Sequence, residues 1–275
     1  MLSYQHGYHA GSFADVIKHL VLTHLMDYLI KKDKPLFYLE THAGKGCYDL
    51  KHGQAQRNQE YKTGILPLWQ QRNTLPEAFL PYLQTIQALN QTDNLQLYPG
   101  SPYFALHHLR AQDRIYLCEA HPQEFDALSR LAKQNKRVHF SNDDGWGALK
   151  ALLPPPEKRG LIFIDPSFEI KSEYQTVPKL IDAAYQLFPQ GTYCLWYPMT
   201  PSLSFQSLTQ KLKAKSFEKT LNIEFYIAKQ SETIGMYGTG LWIINPPYTL
   251  AQTLKPMLET LKTILYPGTS GYKII

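Results

Sequence analysis

Apolar and polar positions follow two rhythms along this chain, and the changes of rhythm mark its elements. Val16, Ile17, Leu20, Val21, Leu25 and Leu29 recur at helical spacing, which predicts a helix over about Phe13–Lys31. Ser12 with Asp15 resembles a capping box at its start. Asp15, Lys18 and His19 stand at i, i+3 and i+4 and therefore share one polar face. Pro35–Glu40 is a short apolar run that reads as a buried strand. Strand signals recur at Arg114–Cys118, Arg137–Ser141 and Gly160–Ile164, with helical patterns near Pro122–Gln134 and Trp146–Leu152. Gly191–Tyr197, Leu221–Ala228 and Gly240–Asn245 read as further strands. The last two have no helix between them, which allows an antiparallel hairpin at the sheet end.

Strands alternating with helices predict an α/β fold with a mostly parallel sheet and helices on both faces. The stretch from about His52 to Asn94 changes character. It is rich in Gln, Asn and Leu, has helical periodicity, and breaks at Pro67, Pro76 and Pro81. It reads as an inserted helical subdomain, residues 52–95, within one domain spanning 1–275.

Composition narrows the class. The 275 residues are 44% hydrophobic and 19% charged, which is globular rather than disordered. The opening residues Met1 to His6 lack the basic and apolar regions of a signal peptide. No stretch approaches the ~20 apolar residues of a membrane span. Cys47, Cys118 and Cys194 lie far apart and read as reduced thiols of a cytoplasmic protein. Lys and Arg outnumber Asp and Glu by 28 to 23, a net charge of +5 that suits a polyanionic partner.

Ligands of doubly wound sheets bind at the carboxyl ends of the strands. Those ends carry His42, Gly44 and Gly46, then Glu119, then Asp144 and Gly145, then Asp165. Gly44-Lys45-Gly46 lacks the Lys-Ser/Thr of a phosphate loop and the third glycine of a dinucleotide fingerprint. It fits a nucleoside ligand without a pyrophosphate, which sets a nicotinamide oxidoreductase aside. Glu119 is placed to accept hydrogen bonds from ribose hydroxyls; the other reading is an ordinary surface Glu at a loop start.

Asp165-Pro166-Ser167-Phe168 carries the most chemistry. An amine on an aromatic ring is a poor nucleophile because its lone pair is delocalised. In amino-methyltransferases the pattern Asp-Pro-Pro-Tyr/Phe answers this. The carboxylate and the following carbonyl accept the amine protons, and the aromatic ring stacks on the extruded base. Here the third position is Ser167. Asn245-Pro246-Pro247-Tyr248 matches the pattern more closely, but it comes about three strands later, away from the glycine loop, and is read as a structural turn. His6 and His9 have an i, i+3 spacing without further ligands in pattern, so no metal is expected. Lys18 and His19 can meet a carboxylate or phosphate at a pocket mouth; the other reading is a solvated helix face.

Tyr4-Gln5-His6-Gly7-Tyr8-His9-Ala10-Gly11, with Ala14-Asp15-Val16 and Lys18-His19, resembles the opening of the RlmJ family of 23S ribosomal RNA adenine-N6-methyltransferases. Glu40 to Gly44, Tyr98-Pro99-Gly100-Ser101-Pro102, Asp144-Gly145, Asp165-Pro166 and Leu195-Trp196-Tyr197-Pro198 extend the likeness over nearly the whole chain. The resemblance implies a Rossmann-like class I methyltransferase using S-adenosyl-L-methionine, with 23S ribosomal RNA as partner; separately, a monomer is expected. It implies cofactor contacts at Lys18, His19, His42, Ser101, Glu119, Asp144, Gly145 and Asp165. It implies Asp165 as the catalytic carboxylate, with Tyr4, His6, Pro166 and Phe168 at the target base. The family has Asp-Pro-Pro-Tyr where this chain has Ser167 and Phe168. A DNA adenine methyltransferase shares the tetrapeptide chemistry, and a non-catalytic RNA-binding relic is the reading that Ser167 favours.

Overall fold

The computed structural model describes residues 4–51, 53–133, 135–229 and 235–275. His52, at the start of the expected insertion, Gln134, at the end of an expected helix, and the leading Met1–Ser3 lie outside them. The strands are β1 (Phe37–Glu40), β2 (Cys47–Asp49), β3 (Leu97–Pro99), β4 (Arg114–Cys118), β5 (Val138–Ser141), β6 (Gly160–Ile164), β7 (Thr192–Met199), β8 (Thr220–Tyr226), β9 (Gly238–Ile244) and β10 (Gly271–Ile274). The helices are α1 (Phe13–Leu29), α2 (Ala55–Asn58), α3 (Ile65–Gln70), α4 (Leu80–Asn90), α5 (Ser101–His108), α6 (Pro122–Ala132), α7 (Gly145–Leu152), α8 (Glu173–Leu187), α9 (Ser204–Lys213) and α10 (Leu250–Ile264).

Among the described residues the main sheet runs β10-β8-β9-β7-β6-β1-β4-β5. From β5 through β7 every pairing is parallel; β9, β8 and β10 then join antiparallel. Each of β1, β6, β7 and β9 is buried along its whole length, as expected of strands covered on both faces. The chain builds outward from β1 to β4 and β5, then returns to place β6 on the other side of β1. That reversal opens a crevice at the carboxyl ends beside β1. Glu40 pairs in register with Leu117 and Phe163, so the loops after β1, β4 and β6 leave the same rim.

The last strands differ from the hairpin-at-the-end expectation in one respect. β9 lies between β7 and β8, and β10 covers the outer edge of β8, so the hairpin is inside the sheet. Strand β10 and the pair β2–β3 were not foreseen, because Gly271–Ile274, Cys47–Asp49 and Leu97–Pro99 are short and carry no continuous apolar run. Helices α8 and α10 each contain an internal proline, Pro178 and Pro256, which masks a helical pattern in sequence. Between β2 and β3 lie α2, α3 and α4 with short 3-10 turns. The Oη atoms of Tyr82 on α4 and Tyr98 on β3 share a hydrogen bond of 3.1 Å, which fastens the excursion to the strand pair at its base.

Ser12 caps α1 by accepting from the Asp15 amide at 3.4 Å. The expected reciprocal arm differs. The Asp15 carboxylate reaches back to the Gly11 amide at 2.9 Å instead of to Ser12. Asp15, Lys18 and His19 are all buried, at 1%, 4% and 1% exposure, so their face of α1 is not solvated and points into the crevice. Asn245 ends β9 at the opposite rim. Its side-chain amide donates to the carbonyls of Pro189 and Gly191 at 2.7 and 2.8 Å, and its φ of +53° turns the chain. Asn245-Pro246-Pro247-Tyr248 is therefore a turn at the far end of the sheet, with Tyr248 88% exposed.

Candidate active site

A cavity of about 950 Å³ occupies the crevice, and every site residue named from the sequence lines it. Its floor is the loop after β1, where Gly44 and Gly46 take φ of +63° and +77°. Gly145 opens α7 against that loop. A Cβ there would sit 2.0 Å from the Thr41 carbonyl oxygen, so only glycine lets α7 approach. Asp144 caps α7, accepting from the Trp146 amide at 3.1 Å, and Trp146 meets His42 edge-on at 5.0 Å. Burial pushes the His42 imidazole down to about 4, so it is neutral near pH 7.

Glu119 leaves β4 beside the glycines. Its two oxygens accept from the Gly44 and His121 amides, each at 2.7 Å, which fixes the carboxyl plane. Burial raises its pKa, and those two N–H groups oppose the rise. On the other side, Tyr98 Oη and His19 Nδ1 share a hydrogen bond of 2.9 Å, and burial keeps His19 far below the usual imidazole range. Ser101 and Tyr38 donate to the two oxygens of Glu40, a fully buried acid that burial pushes up to about 8. Glu40 orients Ser101 from behind the cavity wall.

The acid following β6 is held by α1. Lys18 Nζ lies 2.8 Å from Asp165 Oδ2 and 3.0 Å from Asp15 Oδ1. Asp15 Oδ2 faces His6 Nε2 at 2.9 Å, and His6 Nδ1 meets Tyr4 Oη at 2.9 Å. Tyr4 in turn stacks on His9, whose pKa is raised by its hydrogen bond to Glu60. Burial works against charge on both Asp15 and Lys18. Even so, His6 and Lys18 hold Asp15 well below the usual carboxylate range, while Asp15 and Asp165 keep the Lys18 pKa raised. Sequence reasoning placed Asp15 on the right face but missed that it joins the N-terminal segment to Lys18. Its i, i+3 spacing to Lys18 was the available signal.

Phe168 is the other departure. It has φ of +54° and is 6% exposed, with its ring 4.6 Å from Tyr174 and 6.5 Å from Trp196. It is part of an aromatic wall rather than a free blade. Trp196, which no local motif singled out as functional, also lies 5.6 Å from Lys18 Nζ. Among the described residues no group of three or more His, Cys, Asp or Glu is placed to hold a metal. Among the described residues no helix is long and apolar enough to cross a membrane.

The donor set suits a cationic nucleoside. Glu119 is an acceptor of the kind a sugar diol needs, neutral His42 and His19 add no repulsion, and Lys18 is outweighed by two carboxylates. With the parallel sheet, its switch point and the antiparallel strands at one end, this defines a class I methyltransferase that uses S-adenosylmethionine. A family model described as "Ribosomal RNA large subunit methyltransferase D, RlmJ" matches residues 33–275, and the chain belongs to that family. It is 40% identical to "Ribosomal RNA large subunit methyltransferase J" of Haemophilus influenzae over 276 residues, covering 100% of this chain and 98% of that one. The protein of the same name in Escherichia coli is 39% identical, with the same coverage. A crystal structure of a Legionella pneumophila protein is 51% identical, with a TM-score of 0.92 over 97% of this chain and 98% of that one.

Proposed function

We propose that this enzyme transfers a methyl group to the N6 amine of an adenine in 23S ribosomal RNA. The observation that carries the reading is Asp165. It stands at the end of β6 in the cavity, with one oxygen held by a buried lysine and the other offered to a ligand. S-adenosylmethionine supplies an electrophilic methyl on a sulfonium.

The chain's own residues do the rest. Glu119 would hold the cofactor's ribose hydroxyls, the Gly44 and Gly145 backbones would let it approach, and Ser101, set by Glu40, would add a further polar contact. Asp165 Oδ1 and the Pro166 carbonyl accept the two amine protons, which draws the nitrogen lone pair out of conjugation and aims it. Positioning of this kind supplies much of a displacement's rate. Lys18 holds Asp165 in place. The wall of Phe168, Tyr174 and Trp196 takes the base on one side and Tyr4 on the other. Asp165 then receives the proton that the methylated amine sheds. Ser167 leaves this intact, since the Asp165 carboxylate and the Pro166 carbonyl do not depend on it.

The net charge of +5 suits a polyanionic partner, and in this reading the catalytic domain itself contacts the RNA. In this reading the chain acts as a monomer in the cytoplasm, where ribosomal RNA is assembled. The test is transfer of tritium from labelled cofactor to large-subunit ribosomal RNA and to duplex DNA. Label in RNA adenine is expected. Label in DNA alone would make it a DNA enzyme, and label in neither, a relic.

A further inference from the structure

The first turn of α6 carries two polar groups that the cofactor reading above leaves unused. Glu124 is 6% exposed and lines the cavity, yet its Oε2 has no hydrogen-bond partner. His121, three residues earlier, also lines the cavity, and its Nδ1 is likewise buried without a partner. A buried carboxylate oxygen lacking a donor is costly, so native proteins leave one where a ligand completes it.

Their surroundings say what the ligand offers. The His121 amide already donates to Glu119 Oε1, so the backbone joining the two groups is fixed against the residue assigned to the ribose. Glu124 is close enough for its charge to raise the Glu119 pKa, the largest contributions being burial and the two backbone donors. Three candidate acceptors, Glu119, His121 and Glu124, therefore line the same cavity, with Glu124 near enough to Glu119 to act on its charge. A carboxylate needs a donor, and a sugar diol carries two. Glu119 spends part of its capacity on the Gly44 and His121 amides.

We propose that Glu124, supported by His121, is a second hydroxyl-binding group for the cofactor's ribose, sharing the diol with Glu119. This rests on the cofactor site described under Proposed function. It makes ribose recognition depend on α6 as well as on the end of β4, and it sets the site against deoxyribose ligands.

The test is calorimetry on the full chain with S-adenosylhomocysteine and its 2′-deoxy and 3′-deoxy forms. Two variants are used: Glu124→Met, which keeps the buried volume without an acceptor, and His121→Phe, which keeps a ring. Loss of a hydrogen bond to a charged group weakens the parent ligand by about ten-fold or more. The signature is that one deoxy form binds the wild type and Glu124→Met equally, because the hydroxyl that Glu124 takes is missing from it. His121→Phe gives the same pattern with a smaller loss. Equal losses on all three ligands, or no loss on the parent, overturn the inference while leaving the methyltransferase reading intact. A wild-type chain that binds none of the three removes both.

Discussion

Replacing Asp15 with Asn tests the charge network at the reacting end of the cavity. Asn has the same shape and keeps an oxygen for the Gly11 amide, so the change removes little but charge. That charge lies 3.0 Å from Lys18 Nζ and 2.9 Å from His6 Nε2, at 1% exposure. Breaking a buried pair by removing one partner costs about 3–5 kcal/mol. At ~2.1 cal/mol/K per residue, a chain of this length loses about 5 °C of Tm for ~3 kcal/mol. Lys18 then turns wholly onto Asp165, which draws electron density from the carboxylate and frees the Tyr4–His6 segment. A comparable loss in the transition state lowers kcat by roughly 100-fold. The pH profile carries a sharper sign. In the wild type the Lys18 pKa is held above its ordinary value, so Lys18 adds no alkaline limb near neutral pH. Without Asp15, Asp165 is left as the main counter to burial, the pKa falls, and activity declines at a lower pH than in the wild type. The assay is single-turnover methyl transfer across pH, with scanning calorimetry on the same samples. A variant with kcat within about three-fold of wild type and an unmoved alkaline limb would refute the role given to Asp15.

Three further outcomes follow from local geometry. The Glu40 carboxyl is raised from 4.5 to about 8, so its neutral form adds stability that is full below about pH 4.5 and lost as pH rises through 8; Glu40→Gln should gain Tm relative to wild type across that window, read by calorimetry at pH 5 and at pH 8.5. Gly145→Ala drives a Cβ into the Thr41 carbonyl oxygen, and overpacking of this kind costs about 1–3 kcal/mol; calorimetry should show lower Tm together with weaker S-adenosylhomocysteine binding. Asn245→Ala removes two hydrogen bonds at the far rim and should cost about 1–3 kcal/mol while kcat stays unchanged, measured by urea unfolding beside the transfer assay.

The parallel half of the fold was legible because β1, β4 and β6 each contain a short apolar run, with a glycine or an acid in the loop that follows. The excursion between β1 and α5 was legible in composition, but its anchoring strands were not, since three residues cannot show a period of two. Of the site, the strand-end residues could be read from their place in the sheet. Glu40, Glu124 and Trp196 could not, because nothing local in the sequence marks their burial in or behind the cavity wall. Asp15 showed its i, i+3 spacing to Lys18 but not its contacts with His6 and Gly11. The two competing tetrapeptides show the value of direction: β9 runs opposite to β6, so Asn245 and Asp165 leave the sheet at opposite rims.

The most direct trial of the central claim is methyl transfer to 23S ribosomal RNA by Asp165→Ala, with cofactor affinity measured in the same preparation. The account expects cofactor binding close to that of the wild type and no N6-methyladenine in the digested RNA. Methylation at the wild-type rate would contradict it.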